Sequence, residues 1–285
     1  MDERTRTAAT ELIRMALAED LADRGDITSA AIADASRSCR GIFLAKAEGI
    51  IAGLEIARMT LTGVDPDLCS HPLMRDGDRV RKGDILMEVE GDAGHLLAAE
   101  RTALNFLGRL SGIATLTHHF TEAVSGTRAR IFDTRKTTPG WRLLEKYAVR
   151  CGGGLNHRMG LHDMFLVKDN HIVAAGGITP AVALCRAYAQ SMGFQAEIEV
   201  ETRTLTEVEE AVGLGVDRIM LDNMPLDLVR RAVELVAGRI PLEASGNVTL
   251  ESVAAIASTG VDFISSGSLT HSARVLDISL DLLQG

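Results

Sequence analysis

The sequence predicts an α/β protein in two parts, a small N-terminal part of mixed helix and strand over residues 1–112 and a C-terminal part over residues 113–272. The second part reads as an incomplete or distorted α/β barrel of about six parallel strands. Three observations carry this. Beyond Gly112, short apolar runs alternate with amphipathic helical stretches, the signature of a parallel sheet or barrel. Each run ends in a polar residue or glycine, as strand ends at a barrel's active-site face do. Before Gly112 the order is irregular and the turns are rich in Gly and Asp.

In chain order, a helix is expected from Thr7 to Leu17 and strands around Gly41–Ala47 and Ile85–Glu90. The run DGDRVRKGDILMEVEG, Asp76 to Gly91, has the punctuation of a strand-turn-strand unit. It resembles the hairpin of biotinyl and lipoyl carrier domains but lacks their exposed turn lysine, so a scaffold role is expected. A helix from about Leu96 to Val124 follows, with Leu97, Leu104, Leu107 and Leu110 at helical spacing and an interruption at Ser111-Gly112 that marks the boundary. The barrel strands are Ile131–Phe132, Phe165–Val167, Ile198–Val200, Ile219–Leu221, Pro241–Leu242 and Phe263–Ile264, with weaker candidates near Leu155 and Ile113. Two helix starts stand out: Thr179 as N-cap before Pro180, and Thr206 with Glu209 as a capping box.

With 285 residues and 46% hydrophobic content the chain can bury one large core or two modest ones. No apolar run reaches the roughly 20 residues that span a bilayer, and the N-terminus has no signal-like segment, so a cytoplasmic location is expected. Cys39, Cys69, Cys151 and Cys185 lie far apart, without metal-ligand spacing, and read as reduced thiols. The net charge of -9 argues against a general nucleic-acid or anionic-membrane surface. Within it, residues 128–168 carry nine Lys and Arg against three acids, a local +6 that leaves -15 for the rest. Such an island fits either a pocket for a small anion or a solvated basic face.

The densest stretches are DTRKTTPG (Asp133 to Gly140), KYAVRCGGGLNHRMGL (Lys146 to Leu161) and VKDNH (Val167 to His171). Arginine holds carboxylates and phosphates through paired hydrogen bonds and lysine adds a compact charge, so Arg135, Lys136, Arg158 and Lys168 could grip a ligand with several negative groups. His157 either donates to that ligand or is a satisfied structural histidine. Gly152 to Gly154 form a flexible loop or let backbone approach an anion. EASGN (Glu243 to Asn247) and SSGS (Ser265 to Ser268) place Ser and Gly after a strand and before a helix, where α/β barrels commonly bind phosphate, although ordinary turns give the same pattern. Glu201 and Asp222 close consecutive strands. They suit Mg²⁺ shared with a pyrophosphate, an acid/base pair, or partners for Lys136 and Lys168.

These stretches, with ALAEDLADRGDITSAAI (Ala16 to Ile32), AERTALNFLGRLSGIAT (Ala99 to Thr115), IEVE, MLDN, EASGNVTL and LTHSARVLDISL, resemble the type II phosphoribosyltransferases, specifically the quinolinate phosphoribosyltransferase family, nearly end to end. The resemblance implies an N-terminal α/β sandwich before the incomplete barrel, with the tail 273–285 packing back on the sandwich. It implies a pentosyltransferase of NAD biosynthesis that joins quinolinate to phosphoribosyl pyrophosphate and releases pyrophosphate and CO₂. Arg135, Lys136, His157, Arg158 and Lys168 would line the quinolinate pocket, with Arg101 reaching it from the neighbouring subunit of a homodimer or higher oligomer. Glu201 and Asp222 would organise Mg²⁺, Lys136, Asn170 and His271 would lie near the pyrophosphate, and Ser245, Gly246 and Gly267 would take the 5′-phosphate. Lys136, Lys168, Glu201 and Asp222 are the expected catalytic set. Ser266, Ser268 and Asn247 depart from the usual valine, alanine and glycine. Rival readings are a ModD-like or nicotinate-using paralogue, a Schiff-base aldolase using Lys168, and a non-catalytic sensor of phosphorylated ligands.

Overall fold

The computed structural model describes residues 1–32 and 38–283, so the last two residues of the 273–285 tail lie outside the described residues. In chain order the elements are α1 (Glu3–Leu21), α2 (Ile27–Ile32), β1 (Ser38–Ala45), β2 (Gly49–Ile50), α3 (Leu54–Val64), β3 (Cys69–Pro72), β4 (Arg79–Val80), β5 (Ile85–Asp92) and α4 (Ala93–Ala123). Then come β6 (Arg130–Phe132), α5 (Arg142–Cys151), β7 (Phe165–Val167), α6 (Asp169–Ala175), α7 (Ile178–Met192), β8 (Ile198–Thr202), α8 (Leu205–Leu214) and β9 (Arg218–Asp222). The last are α9 (Leu226–Val236), β10 (Leu242–Ser245), α10 (Leu250–Ala257), β11 (Phe263–Ser265), α11 (Ser268–His271) and β12 (Ile278–Leu283).

The chain forms two compact units, one of residues 1–118, 137–153 and 269–285 and the other of residues 119–136 and 154–268. The first is an α/β sandwich. Its antiparallel sheet runs in the order β12-β1-β5-β3, and Phe43, Leu86, Met87 and Val89 of the sheet share a core with Leu54 and Leu61 of α3 and Leu96, Ala99 and Leu107 of α4. The Asp76–Gly91 run does not fold on itself. β4 pairs with β2, and β5 lies between β1 and β3, because only the longer β5 carries alternate apolar residues to complete the sheet face. β12 pairs with β1 along six residues. Residues 137–153 belong to this unit, not to the barrel strands that flank them: α5 packs on α1, and Trp141 stacks on Phe106 at 4.8 Å.

The expected interruption at Ser111-Gly112 is absent, and α4 runs unbroken for 31 residues. Both residues answer to close packing. Ser111 is fully buried and its hydroxyl accepts the Ala52 N–H at 3.0 Å. A Cβ on Gly112 would sit 1.9 Å from the carbonyl oxygen of Arg274. Glycine's helix penalty of about 1 kcal/mol is outweighed by the passage of another segment against the helix.

The second unit is the incomplete barrel, a six-stranded parallel sheet in the order β6-β11-β10-β9-β8-β7. All six expected strands are present. Leu155 adds one parallel bridge to Phe132 at the β6 edge, whereas Ile113 lies inside α4. The helix starts fall elsewhere than expected. α8 is capped by Thr204 with Glu207, not Thr206 with Glu209, since β8 ends at Thr202 and the nearer threonine meets the first free N–H groups. α7 begins two residues earlier, after Gly177, and Thr179 instead gives its hydroxyl and N–H to Glu210 of α8.

Candidate active site

The C-terminal strand ends of the second unit form a polar rim. β7 delivers Lys168, whose ammonium lies 3.3 Å from Glu201 Oε2 at the end of β8. One residue past the buried Thr202, Arg203 turns back over the rim. Its guanidinium is 3.7 Å from Glu201 Oε1, 3.3 Å from Asp222 Oδ2 at the end of β9 and 3.0 Å from Asp169 Oδ2 at the start of α6. The hydrogen bond that Arg203 donates to Asp222 and the charges of Asp169, Asp222 and Glu201 raise the Arg203 pKa. Glu201 and Asp222 thus share one cation across neighbouring strands, and Arg203 is a rim residue that strand periodicity alone did not reveal.

The next strand ends are locked by hydrogen bonds. Asn223 N–H donates to the Ser245 carbonyl at 2.8 Å, its amide donates to Asp222 Oδ1 at 3.0 Å, and its side-chain oxygen accepts from Asn247 at 3.0 Å. Gly246 has φ +97°, and a Cβ there would meet Asn223 Oδ1 at 2.3 Å, so this turn requires glycine on both counts. Asn247, where a second glycine is usual, holds φ +50°, a conformation asparagine tolerates. Ser265 donates to Ser245 at 3.0 Å, Ser266 to the Val248 carbonyl at 3.0 Å, and Ser266 and Ser268 hydroxyls are 2.7 Å apart. Gly267 sits between these serines.

The β6 end supplies a cationic pair. Arg135 has a buried Nε that finds no hydrogen-bond partner. Arg158, half-buried, has its pKa lowered by burial and then by the charge of Arg135. Two guanidiniums near enough for one to lower the other's pKa, one of them with an unmet buried donor, form a place for an anion. Lys136, Asn170 and Lys168 are exposed, and Asn170 stands in the first turn of α6. Arg101, exposed on α4, and His271, whose Nδ1 is 2.7 Å from Ser272 Oγ, belong to the first unit.

Beneath the rim lies a charged layer that the sequence reading did not gather. His157 Nε2 is 3.0 Å from Glu199 Oε2 and 3.3 Å from Glu243 Oε2, all three residues buried. Arg218 is 3.7 Å and 3.6 Å from the same two oxygens and lies 5.0 Å over each of the stacked rings of Phe132 and Phe263. Burial opposes charge on the His157 ring, but Glu199 and Glu243 outweigh it and raise its pKa to about 9. Burial, with the neighbouring charge of Glu243, pushes Glu199 up to about 7, while the contact with His157 draws Glu243 down. One proton more than a neutral ring and two carboxylates makes the group neutral with Arg218. The Arg158 N–H lies 2.7 Å from His157 Nδ1, an acceptor only while the ring is neutral, so in its neutral form the ring carries its proton on Nε2. His157 therefore turns both nitrogens to the protein and meets Arg158 through its backbone.

Among the described residues this buried trio is the one group of three potential ligands close enough to share a metal ion. At the rim, Glu201 and Asp222 offer hard carboxylate oxygens of the kind Mg²⁺ takes, and two such residues leave coordination positions for water and diphosphate. That donor set fits Mg²⁺. A cleft lined by Arg186, Gln190, Phe194, Ile198 and Asp217 opens at the opposite ends of the strands and holds no comparable charge cluster.

Residues 26–111 match the quinolinate phosphoribosyl transferase N-terminal domain and residues 113–281 the C-terminal domain. The chain is 48% identical over 286 residues to the chloroplastic nicotinate-nucleotide pyrophosphorylase (carboxylating) of Arabidopsis thaliana, covering 95% of this chain and 82% of that one. It is 47% identical over 287 residues to the mitochondrial quinolinate phosphoribosyltransferase (decarboxylating) 2b of Nicotiana tabacum, with 95% and 81% covered. The solved structure of NadC from Streptococcus pyogenes superposes with a TM-score of 0.91 at 43% identity over 96% of each chain.

Proposed function

As the chain belongs to the quinolinate phosphoribosyltransferase family, we propose that it converts quinolinate and phosphoribosyl pyrophosphate to nicotinate mononucleotide, pyrophosphate and CO₂, a step of NAD biosynthesis. The observation that carries this is the Arg135–Arg158 pair with its unmet buried donor. It suits a dianion such as a pyridine dicarboxylate better than a monoanion.

The chemistry needs no protein nucleophile. The pyridine nitrogen forms the bond to C1 of the ribose as the C1–O bond breaks, and the electron pair leaves on the diphosphate oxygen. The pyridinium then accepts electron density as the C2–carboxylate bond breaks, CO₂ departs and that carbon takes a proton. Arg135, Arg158 and Lys168 hold and orient the carboxylates, and orientation contributes as much as roughly 7–11 kcal/mol in favourable cases. Lys136 and Asn170 face the diphosphate, and the hydroxyl and backbone groups at Ser245, Gly246 and Gly267 take the 5′-phosphate. His157 supports Arg158. Mg²⁺ held by Glu201 and Asp222 would supply positive charge to the leaving diphosphate, with Arg203 released from between the two acids.

A homodimer, or a higher oligomer built from it, in which Arg101 of the neighbouring subunit completes the site is part of the proposal, supported by the exposure of the Arg101 side chain, with His271 placed near the diphosphate. A cytoplasmic location is proposed on the four cysteines, which lie far apart in the sequence without metal-ligand spacing. The decisive assay supplies quinolinate, phosphoribosyl pyrophosphate and Mg²⁺ and follows nicotinate mononucleotide and CO₂ by mass. Equal turnover of nicotinate, without CO₂, would count for the mono-acid paralogue. Sedimentation and cell fractionation address assembly and location.

A further inference from the structure

The buried layer below the rim has a geometry that an inert core would not need. A core of this size fills six strand interiors with apolar side chains, yet here Glu199 of β8, Arg218 of β9 and Glu243 of β10 converge on one imidazole. The two carboxylates meet the ring, and Arg218 meets the carboxylates, in the interior where Leu166, Met164 and Met220 pack together. Each carboxylate keeps unmet capacity: Glu199 Oε1 and both Glu243 oxygens are buried without a well-aligned hydrogen bond. A layer this incomplete is unfavourable relative to an apolar replacement.

What the layer holds is the loop that bears Arg158. From the β6 side, fully buried Asp133 accepts the His157 backbone N–H at 2.8 Å and the Asn156 amide at 2.6 Å. From the β8 and β10 side, Glu199 and Glu243 fix the His157 ring through Nε2. The opposite ring nitrogen then accepts the Arg158 N–H at 2.7 Å, and the Arg158 guanidinium donates to the Met164 carbonyl at 3.3 Å. Three strands therefore set one ring, and the ring sets the backbone from which Arg158 projects.

The geometry points to a positioning role: Glu199, Glu243 and Arg218 act through His157 to aim Arg158 at the pyridine carboxylates, and so set affinity for the dicarboxylate rather than for the phosphoribosyl donor. Arg218 is the resident cation of the layer, which leaves no need of a metal ion between the carboxylates. The inference rests on the function proposed above and specifies how its acid-binding half is held.

The test uses the full chain with Glu243→Gln, Glu199→Gln, Glu243→Asp and Arg218→Lys. Either amide variant is expected to raise the KM for quinolinate at least tenfold while leaving the KM for phosphoribosyl pyrophosphate within twofold, and Glu243→Asp is expected to recover part of the loss. Parallel rises in both KM values, or no rise in either, would overturn the role. For variants that do not fold, ¹⁵N-histidine spectra of the wild-type protein give an independent reading. One ring, assigned by its loss in His157→Asn, should in its neutral form be a single Nε2–H tautomer, and tautomer averaging at that ring overturns the proposal. Stoichiometric zinc or manganese in the purified protein, lost in Glu243→Gln, would overturn it in favour of a metal site. Failure of the wild-type chain to turn over quinolinate would count against the proposed reaction, whereas the ring measurement involves no substrate and judges the clamp alone.

Discussion

Arg135 and Lys168 illustrate how single charges divide between ligand and scaffold. Arg135 keeps a buried donor unmet, so replacing it removes no protein hydrogen bond at Nε. Arg135→Ala should lower kcat/KM about 100-fold or more, the loss of a charge-assisted contact worth roughly 3 kcal/mol, with a thermal midpoint close to that of the parent. Lys168→Ala frees Glu201 from its 3.3 Å partner and should lose comparable activity. Near-parental rates in either variant would remove that residue from the site. Cys151 gives a residue-scale prediction that involves no substrate. Burial pushes its thiol up to about 11, with the charge of Asp76 adding to the effect. The nucleophile is the thiolate, so at pH 8 exposed Cys69 should alkylate first and Cys151 last. The Cys151 rate should climb about tenfold per pH unit toward pH 11, and mass mapping of a short iodoacetamide exposure checks the order. Strand-end residues such as Lys168, Glu201 and Asp222 were legible because each follows a short apolar run. Glu199, Arg218 and Glu243 were not, since a charge inside a strand shows in sequence only as a break in the apolar run. Alternation was the available signal: Glu199 and Glu201 are two apart on β8 and share a face.

At the scale of elements, all six barrel strands and β1 and β5 of the first sheet could be read from apolar runs, while β3, β12 and the helix ends could not. Thr204 with Glu207 and Thr206 with Glu209 satisfy the same capping pattern, and only the end of β8 decides between them. The Ser111-Gly112 pair misled for a different reason. Local propensity marks a break, but what the glycine answers to is a segment more than 160 residues away in sequence, Arg274, whose carbonyl occupies the space of a side chain. Gly112→Ala should therefore destabilise the protein by about 3 kcal/mol or more through backbone displacement, even though alanine is the better helix former. A raised melting temperature would show that the contact yields freely. The Asp76–Gly91 run was legible as strand-turn-strand, but its two strands take different partners, because turn chemistry specifies where a chain reverses, not which strand it meets.

At the scale of the whole molecule, the chain passes between its two units four times, because residues 137–153 and 269–285 return to the first. A fragment of residues 1–112 would lack α5, the last turns of α4 and the β12 partner of β1. It should remain unfolded or aggregate through the exposed β1 edge, and a cooperative melt of that fragment would contradict this. Adding residues 137–153 and 269–285 by linkers should restore order. The chain carries a net charge of -9, and the basic residues of 128–168 divide between the two units.

The pairing of β12 with β1 also fixes an order of events at the ribosome. Proteins commonly complete their N-terminal parts first as they are made. Here the strand that closes the first sheet emerges only after every barrel strand has been translated. Until then β1 offers an open edge to the nascent barrel and to neighbouring chains, so premature termination anywhere before residue 278 leaves not one finished domain and one missing, but an unfinished beginning.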